Sequence, residues 1–256
     1  TTLIPAIIEG QSLNVDAVTG ATVTSTAIIS GVTEAIRMAG GDPEDFQKAA
    51  AQDDTPGQTI EKEADVVVIG SGAAGIAAAL EARRAGASVL VLEKLPHVGG
   101  NTYICGGIVY GTGSRIQAEY GLEGDSVDAL AKYWMDRAEG NADADLVRFV
   151  AEHSGETIDW IVENGVELGE NISAPGTAGV KRGIKTANGG VGFIIPLTNK
   201  AQEEGVEILL NTRATELLTK DGAVCGVKAQ SGKDTLNITA GAVVLASGGF
   251  DADYET

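Results

Sequence analysis

The clearest pattern in the chain is a change of period between residues 66 and 85. Val66, Val67, Val68 and Ile69 form an unbroken apolar, β-branched run, the signature of a strand buried on both faces. Three glycines follow, Gly70, Gly72 and Gly75, and then Ile76 to Ala85 is rich in alanine and favours a helix. Ser88 to Leu92 predicts a second strand. Gly124 to Gly140 predicts a helix, with Ser126 as its cap and Val127, Leu130, Ala131, Trp134, Met135 and Ala138 at helical spacing. Leu146, Phe149, Val150, Ile158, Ile161 and Val162 predict one or two more. The glycine-rich stretch Asn188 to Gly192 leads into a short predicted helix, Phe193 to Glu204, and Val206 to Leu210 predicts a third parallel strand. Arg213 to Leu218, Ala223 to Ala229 and Thr235 to Thr239 alternate like an antiparallel meander with a hairpin turn at Asp221-Gly222, and Ala242 to Ala246 returns as a further strand. Upstream, Leu3 to Gly10 is apolar and then turns, and Ile28, Ile29, Val32, Ala35 and Ile36 give one apolar face to a helix from about Ser25 to Met38, capped by Thr24 or Ser25 and stopped by Gly40 and Gly41. Glu44 to Glu63 is polar and reads as a linker between two modules.

Strand, glycine turn and helix come in the order that cradles a pyrophosphate. Gly70 makes the tight turn, Gly72 lets backbone N–H groups approach phosphate, and Gly75 lets the helix pack on the strand. The helix N-terminus carries roughly half a positive charge to meet the anion. A G-x-G-x-x-G spacing alone also fits an ordinary glycine-rich turn. Glu93, 23 positions after Gly70 and at the end of the second strand, supplies the acid that bonds adenosine ribose hydroxyls. The reading is therefore a dinucleotide site.

Composition narrows the partners. Hydrophobic residues make up 43% of the 256, enough for a real core. Acids outnumber bases 36 to 18, for a net charge of −18, which repels nucleic acid and anionic membranes. Cys105 and Cys225 are the only cysteines, too few for a disulfide scaffold, a Cys-rich zinc site or a cluster-binding ferredoxin motif. No apolar run reaches transmembrane length, and no signal peptide is visible in a chain that begins at Thr1.

Two motifs carry a family resemblance. Asp16-Ala-Val-Thr-Gly-Ala-Thr22 resembles the FMN-attachment motif of flavin-binding domains, in which a flavin transferase links FMN through its phosphate to the final threonine, here Thr22. The same run also fits a threonine-rich N-cap without chemistry. Farther on, Gly70-Ser-Gly-Ala-Ala-Gly75, Glu93-Lys94, Gly99-Gly-Asn-Thr102 and Ala246-Ser-Gly-Gly-Phe250 resemble the FAD-dependent fumarate reductase family, which includes soluble fumarate and urocanate reductases. The resemblance implies an α/β chain: a glutathione-reductase-like FAD-binding Rossmann lobe, incomplete, over residues 64–256, after the C-terminal part of an FMN-binding module at 1–43 and a linker at 44–63. It implies non-covalent FAD held by Gly70, Gly72, Ala73, Ala74, Gly75, Glu93, Lys94, Gly100, Asn101, Thr102, Gly106, Gly107, Ile108, Ala214, Ser247 and Gly248, and FMN covalently on Thr22.

The activity implied is reduction of an activated C=C bond, in fumarate, urocanate or another α,β-unsaturated acid or enone, by hydride from FAD N5. An upstream donor would supply electrons through the threonyl-FMN. Alternatives are a desaturase or dehydrogenase of the 3-ketosteroid type and a substrate-free electron-transfer flavoprotein. The family's catalytic acid, substrate clamps and cap domain are expected beyond Thr256, so no catalytic residue is assigned. Val180 to Lys185 lacks the histidine that fumarate reductases often carry there. Lys181, Arg182 or Lys185 could hold an anion or form a solvated basic turn. His153 reads as a surface or satisfied histidine rather than a base, Trp134 and Trp160 as core, and Cys105 as a packing residue without a catalytic role. Family members bearing attached FMN usually work outside the cytoplasm, so the cell envelope is the expected location.

Overall fold

A computed structural model describes residues 3–15, 22–46, 56–122, 124–169, 180 and 182–249, with the backbone alone for 22–27. The chain divides into two compact units, Thr1–Gln58 and Thr59–Thr256.

In the first unit, α1 (Leu3–Gly10) and α2 (Thr22–Met38) are followed by a single 3-10 turn at Pro43–Phe46. Leu3, Ile7 and Leu13 are buried against Ile28, Ile29, Val32, Ile36 and Phe46, so the predicted apolar face is the one that packs. The helix starts three residues earlier than its caps predict, and Gly40 ends it at φ +82°. Asp16 to Ala21 of the threonine motif and residues 47–55 of the predicted linker lie outside the described residues.

The second unit begins with β1 (Thr59–Ile69), α3 (Ala73–Arg84), β2 (Val89–Leu92), α4 (Gly100–Ile104), β3 (Ile108–Tyr110), α5 (Arg115–Glu119), α6 (Val127–Ala138) and α7 (Ala144–Glu163). It continues through β4 (Gly183–Lys185), α8 (Gly189–Glu203), β5 (Glu207–Leu209), β6 (Thr212–Lys220), β7 (Ala223–Ser231) and β8 (Asp234–Leu245). Six strands form one sheet in the order β5-β2-β1-β8-β7-β6; β3 and β4 form a separate antiparallel pair. The first four strands of the large sheet are parallel, and β7 and β6 extend it antiparallel. One face of β1 and β2 packs Val68, Val89 and Val91 against Ile76 and Leu80 of α3 and Ile194 and Leu197 of α8. The other face packs Val67, Leu90 and Leu92 with Val227, Leu236 and Ile238.

Several boundaries in this unit differ from the sequence reading. Residues 59–63, assigned to the linker, are strand, because they pair in parallel with Thr235–Thr239; Lys62 Nζ also meets Glu207 at 2.7 Å. Thr59 to Glu61 are exposed, so no apolar run announces this part of β1. The predicted strands 235–239 and 242–246 are one strand, β8, which runs through Gly241 alongside the whole of β1. α8 starts at Gly189 rather than Phe193, and Gly190 in its first turn lies so close to α4 that a Cβ there would overlap the Thr102 carbonyl. The hairpin turn is as expected, with Asp221 and Gly222 both at positive φ. Residues 146–162 form one helix, whose Asp143 cap accepts from Leu146 N at 2.9 Å.

These packing differences set unequal costs. Leu80→Ala, at a fully buried position between α3 and the sheet, should lower stability by about 3 kcal/mol. Leu146→Ala, on the exposed side of α7, should change it by less than about 0.5 kcal/mol, both read by urea unfolding.

Candidate functional site

The register of the parallel strands sets the site. Ile69 pairs with Leu92 and Leu245, and Leu92 pairs with Leu209, so four strands end at one level. Open α/β sheets bind ligands in the crevice beyond such carboxyl ends. Gly70, Glu93 and Ser247 follow directly or within two residues, and Thr212 begins β6 beside them, with its N–H donating to Glu93 O at 2.8 Å.

The glycine turn is built as its spacing demands, with one division of labour. Gly70 has φ +102°, and a Cβ there would overlap the Ala246 carbonyl. A Cβ on Gly75 would overlap the Gly70 carbonyl. A Cβ on Gly72 would meet nothing closer than 3.8 Å, so no protein neighbour requires glycine there. The protein leaves the space on its bare side unfilled. Ala73 and Ala74 open α3, whose Gly72 N-cap makes no side-chain cap. The Thr102 hydroxyl accepts from Ala73 N at 3.2 Å and caps the helix from α4. This hydroxyl, an expected FAD contact, is committed to a backbone donor.

Glu93 is buried, and its carboxylate is anchored on both oxygens. Oε2 accepts from Ser71 N at 3.0 Å and Ser71 Oγ at 2.5 Å; Oε1 accepts from Leu95 N at 2.9 Å. Both lone pairs of Oε2 are thus taken, and Oε1 keeps one for a further donor such as a ribose hydroxyl. Ser71, wholly buried, was absent from the sequence-derived set; its N–H and hydroxyl tie the two strand ends together, and its hydroxyl accepts from Gly99 N at 3.2 Å. A polar residue between two turn glycines was the available signal.

A second group lies at the far end of α4. Gly107 has φ +67° and is buried, with no room for a Cβ against Thr186 and Gly189. Thr186 Oγ1 donates to Gly189 O at 2.6 Å, and Gly190 N donates to Cys105 O at 2.9 Å. Gly106 and Ile108 are exposed on either side of it; at the opposite end of α4, Gly100 opens the helix at φ +48° and Asn101 is exposed. Thr102 and Gly190 link this group to the glycine turn. Lys94 is exposed after Glu93. Ala214 sits on β6 two residues past Thr212, at a register shift, and Ser247 and Gly248 are exposed past β8. Of Thr22, the backbone alone is described, as the first residue of α2. Lys181 and Phe250 lie outside the described residues.

Two side chains depart from expectation. Arg182 is buried, not a solvated basic residue, because Asp125 receives its guanidinium at 2.5 and 2.9 Å. Cys105 is exposed rather than buried, since α4 ends there and turns it outward; its Sγ accepts from Gly107 N at 3.4 Å. His153 is on the surface as expected. Among the described residues no group of acids, histidines and cysteines could hold a metal, and no helix is long and apolar enough to cross a membrane.

Residues 65–256 match the FAD binding domain family, and residues 3–37 match the FMN-binding domain. A urocanate reductase from Eggerthella lenta is 34% identical over 255 residues, covering 97% of this chain and 42% of that protein. The open conformation of a flavocytochrome c3 fumarate reductase superposes with a TM-score of 0.68 at 30% identity, over 80% of this chain and 39% of that one. A 3-ketosteroid-Δ4-(5α)-dehydrogenase from Rhodococcus jostii RHA1 gives 0.67 at 30% identity, over 77% of this chain and 49% of that one. The chain thus spans about two-fifths of the length of the curated relative.

The two turn glycines should separate in a binding assay. Gly72→Ala should leave the ligand-free protein within about 1 kcal/mol of the parent while weakening FAD binding about tenfold or more, because the methyl stands where the phosphate approaches. Gly75→Ala should lower both, since the turn itself must open. Titration followed by flavin fluorescence, beside thermal unfolding, reads both effects.

Proposed function

Because the chain belongs to the FAD binding domain family and also carries an FMN-binding match, we propose that it is the nucleotide-binding part of a flavin enzyme that reduces an activated C=C bond. The observation that carries the FAD reading is the pairing of an open Gly72 with an anchored Glu93 at one level of the sheet. In this reading the N–H groups after Gly70 and the N-terminus of α3 hold the pyrophosphate, and Glu93 receives the ribose. Ser247 and Gly248 close the same end, Ala214 backs the adenine side, and Asn101, Gly106, Gly107 and Ile108 face the flavin ring. When bound, FAD supplies the hydride chemistry. The chain's own task is to fix the ring side against substrate, through a hairpin and a helix end that admit no Cβ at Gly107 and Gly190.

The substrate class follows from relatives named for urocanate and fumarate, both conjugated carboxylates. The ketosteroid dehydrogenase likeness supports a second reading, in which the protein removes hydrogen from a C–C bond. FMN, on the same proposal, is esterified to Thr22 by a flavin transferase and passes electrons inward from an upstream donor, at the cell envelope.

Two measurements test this. Protein co-expressed with a flavin transferase should gain the mass of one FMN, and Thr22→Ala should lose it; absence of the adduct in the parent defeats the attachment. Reduced full-length enzyme should be reoxidised by at least one of fumarate, urocanate, cinnamates or enones. Failure of all four classes, with reduction by a ketosteroid instead, would transfer the assignment to the dehydrogenase reading.

A further inference from the structure

The β3–β4 pair is three residues long on each strand, with Ile108 opposite Lys185, Val109 opposite Ile184 and Tyr110 opposite Gly183. A two-stranded ribbon that short is marginal in water, and a slip of one residue turns every side chain to the opposite face. Val109 and Ile184 point inward to Ile116, Ile158 and Val162, leaving Ile108 and Tyr110 exposed. That buried face sets the register, Gly169 N donates to Lys185 O at 3.0 Å on the outer edge of β4, and each end of the ribbon is tied to the chain around it.

One end is held by Thr186, whose N–H donates to Gly107 O at 2.9 Å. The other end is held by Arg182. Its carbonyl accepts from Gly111 N at 3.1 Å, and Gln117 Nε2 donates to Gly111 O at 2.8 Å. Its side chain, 3% exposed, donates from Nε and Nη2 to the two oxygens of Asp125 and lies 5.1 Å from the centre of the Tyr133 ring. Burial would raise the Asp125 pKa, but Arg182 holds the carboxylate below its ordinary value. The pair therefore stays charged and ties β4 to α6, where Tyr133 sits. Nη1 is buried without a hydrogen-bond partner, the one side-chain nitrogen or oxygen so placed among the described residues.

Stability by itself explains this arrangement poorly. A buried ion pair gains little over a well-packed apolar replacement, and a buried donor left unpaired is a net cost. We propose that Arg182 is a positioning residue: held by Asp125 and Tyr133, it fixes β3 on β4 and so sets where Gly107 and Ile108 stand on the flavin side. This rests on the FAD reading above.

The test uses full-length enzyme loaded with FAD. Arg182→Lys keeps the charge and loses the planar fork; Arg182→Met keeps much of the volume and loses the pair. Both should bind FAD at the parent's stoichiometry. Both should alter the visible absorption and circular dichroism of the bound flavin. With the compound that oxidises the parent, kcat should fall about tenfold or more at nearly unchanged KM, as expected when reacting atoms are displaced by a fraction of an ångström. Arg115→Lys, at an exposed ion pair on α5, should match the parent throughout. A folded Arg182→Met with the parent's flavin spectrum and kcat overturns the proposal. If the Met variant does not fold, Arg182→Lys decides by the same two readouts. FAD lost only in step with the fold would overturn it too, by reducing Arg182 to packing. A parent that binds no FAD defeats the FAD reading instead, before any variant is compared.

Discussion

The carboxylate of Glu93 accepts three hydrogen bonds inside the protein, two from Ser71 and one from Leu95. Bonds to a charged acceptor are worth about 1.5–3 kcal/mol each. Much else at the carboxyl end of the sheet hangs from this group. It fixes the glycine turn at the end of β1 to the end of β2. Through its own backbone it also joins β5 and β6, since Glu93 N donates to Leu209 O at 2.9 Å and Thr212 N donates to Glu93 O at 2.8 Å. One residue thus sets the spacing of four strand ends and remains an acceptor for a ligand.

The remaining site elements are positioned by exclusion of volume. Gly75 on Gly70, Gly107 on Gly189 and Gly190 on Thr102 are contacts that no side chain could survive. They bring α3, α4 and α8 together near one end of the sheet, where the strands already terminate. Gly72 differs, because the protein does not fill the space beside it.

The parts of this architecture legible in the sequence were those with local signals. The apolar run at Val66–Ile69, the glycine spacing, Ser126 and the Asp221-Gly222 turn each act over a few residues. What was not legible depends on partners far along the chain. Residues 59–63 become strand only by lying along 235–239. Gly241 looks like a break, yet β8 passes through it. Arg182 reads as an anion holder or part of a solvated basic turn until Asp125, 57 positions away, is placed against it. Ser71 and Thr102 have ordinary identities; the roles come from the Glu93 carboxylate and the Ala73 N–H that meet them. The resemblance to flavin reductases reached the cofactor class because its motifs lie at strand and helix ends, where chemistry and backbone shape are specified together.

The Thr102 hydroxyl on Ala73 N has a consequence for ligand entry. A helix start that faces a ligand normally leaves its first donors to water or to that ligand. Here the chain supplies an internal partner, as it does for three of the four lone pairs of the Glu93 carboxylate. A ligand that reaches Ala73 N would therefore do so by trading places with the Thr102 hydroxyl, one hydrogen-bond acceptor for another.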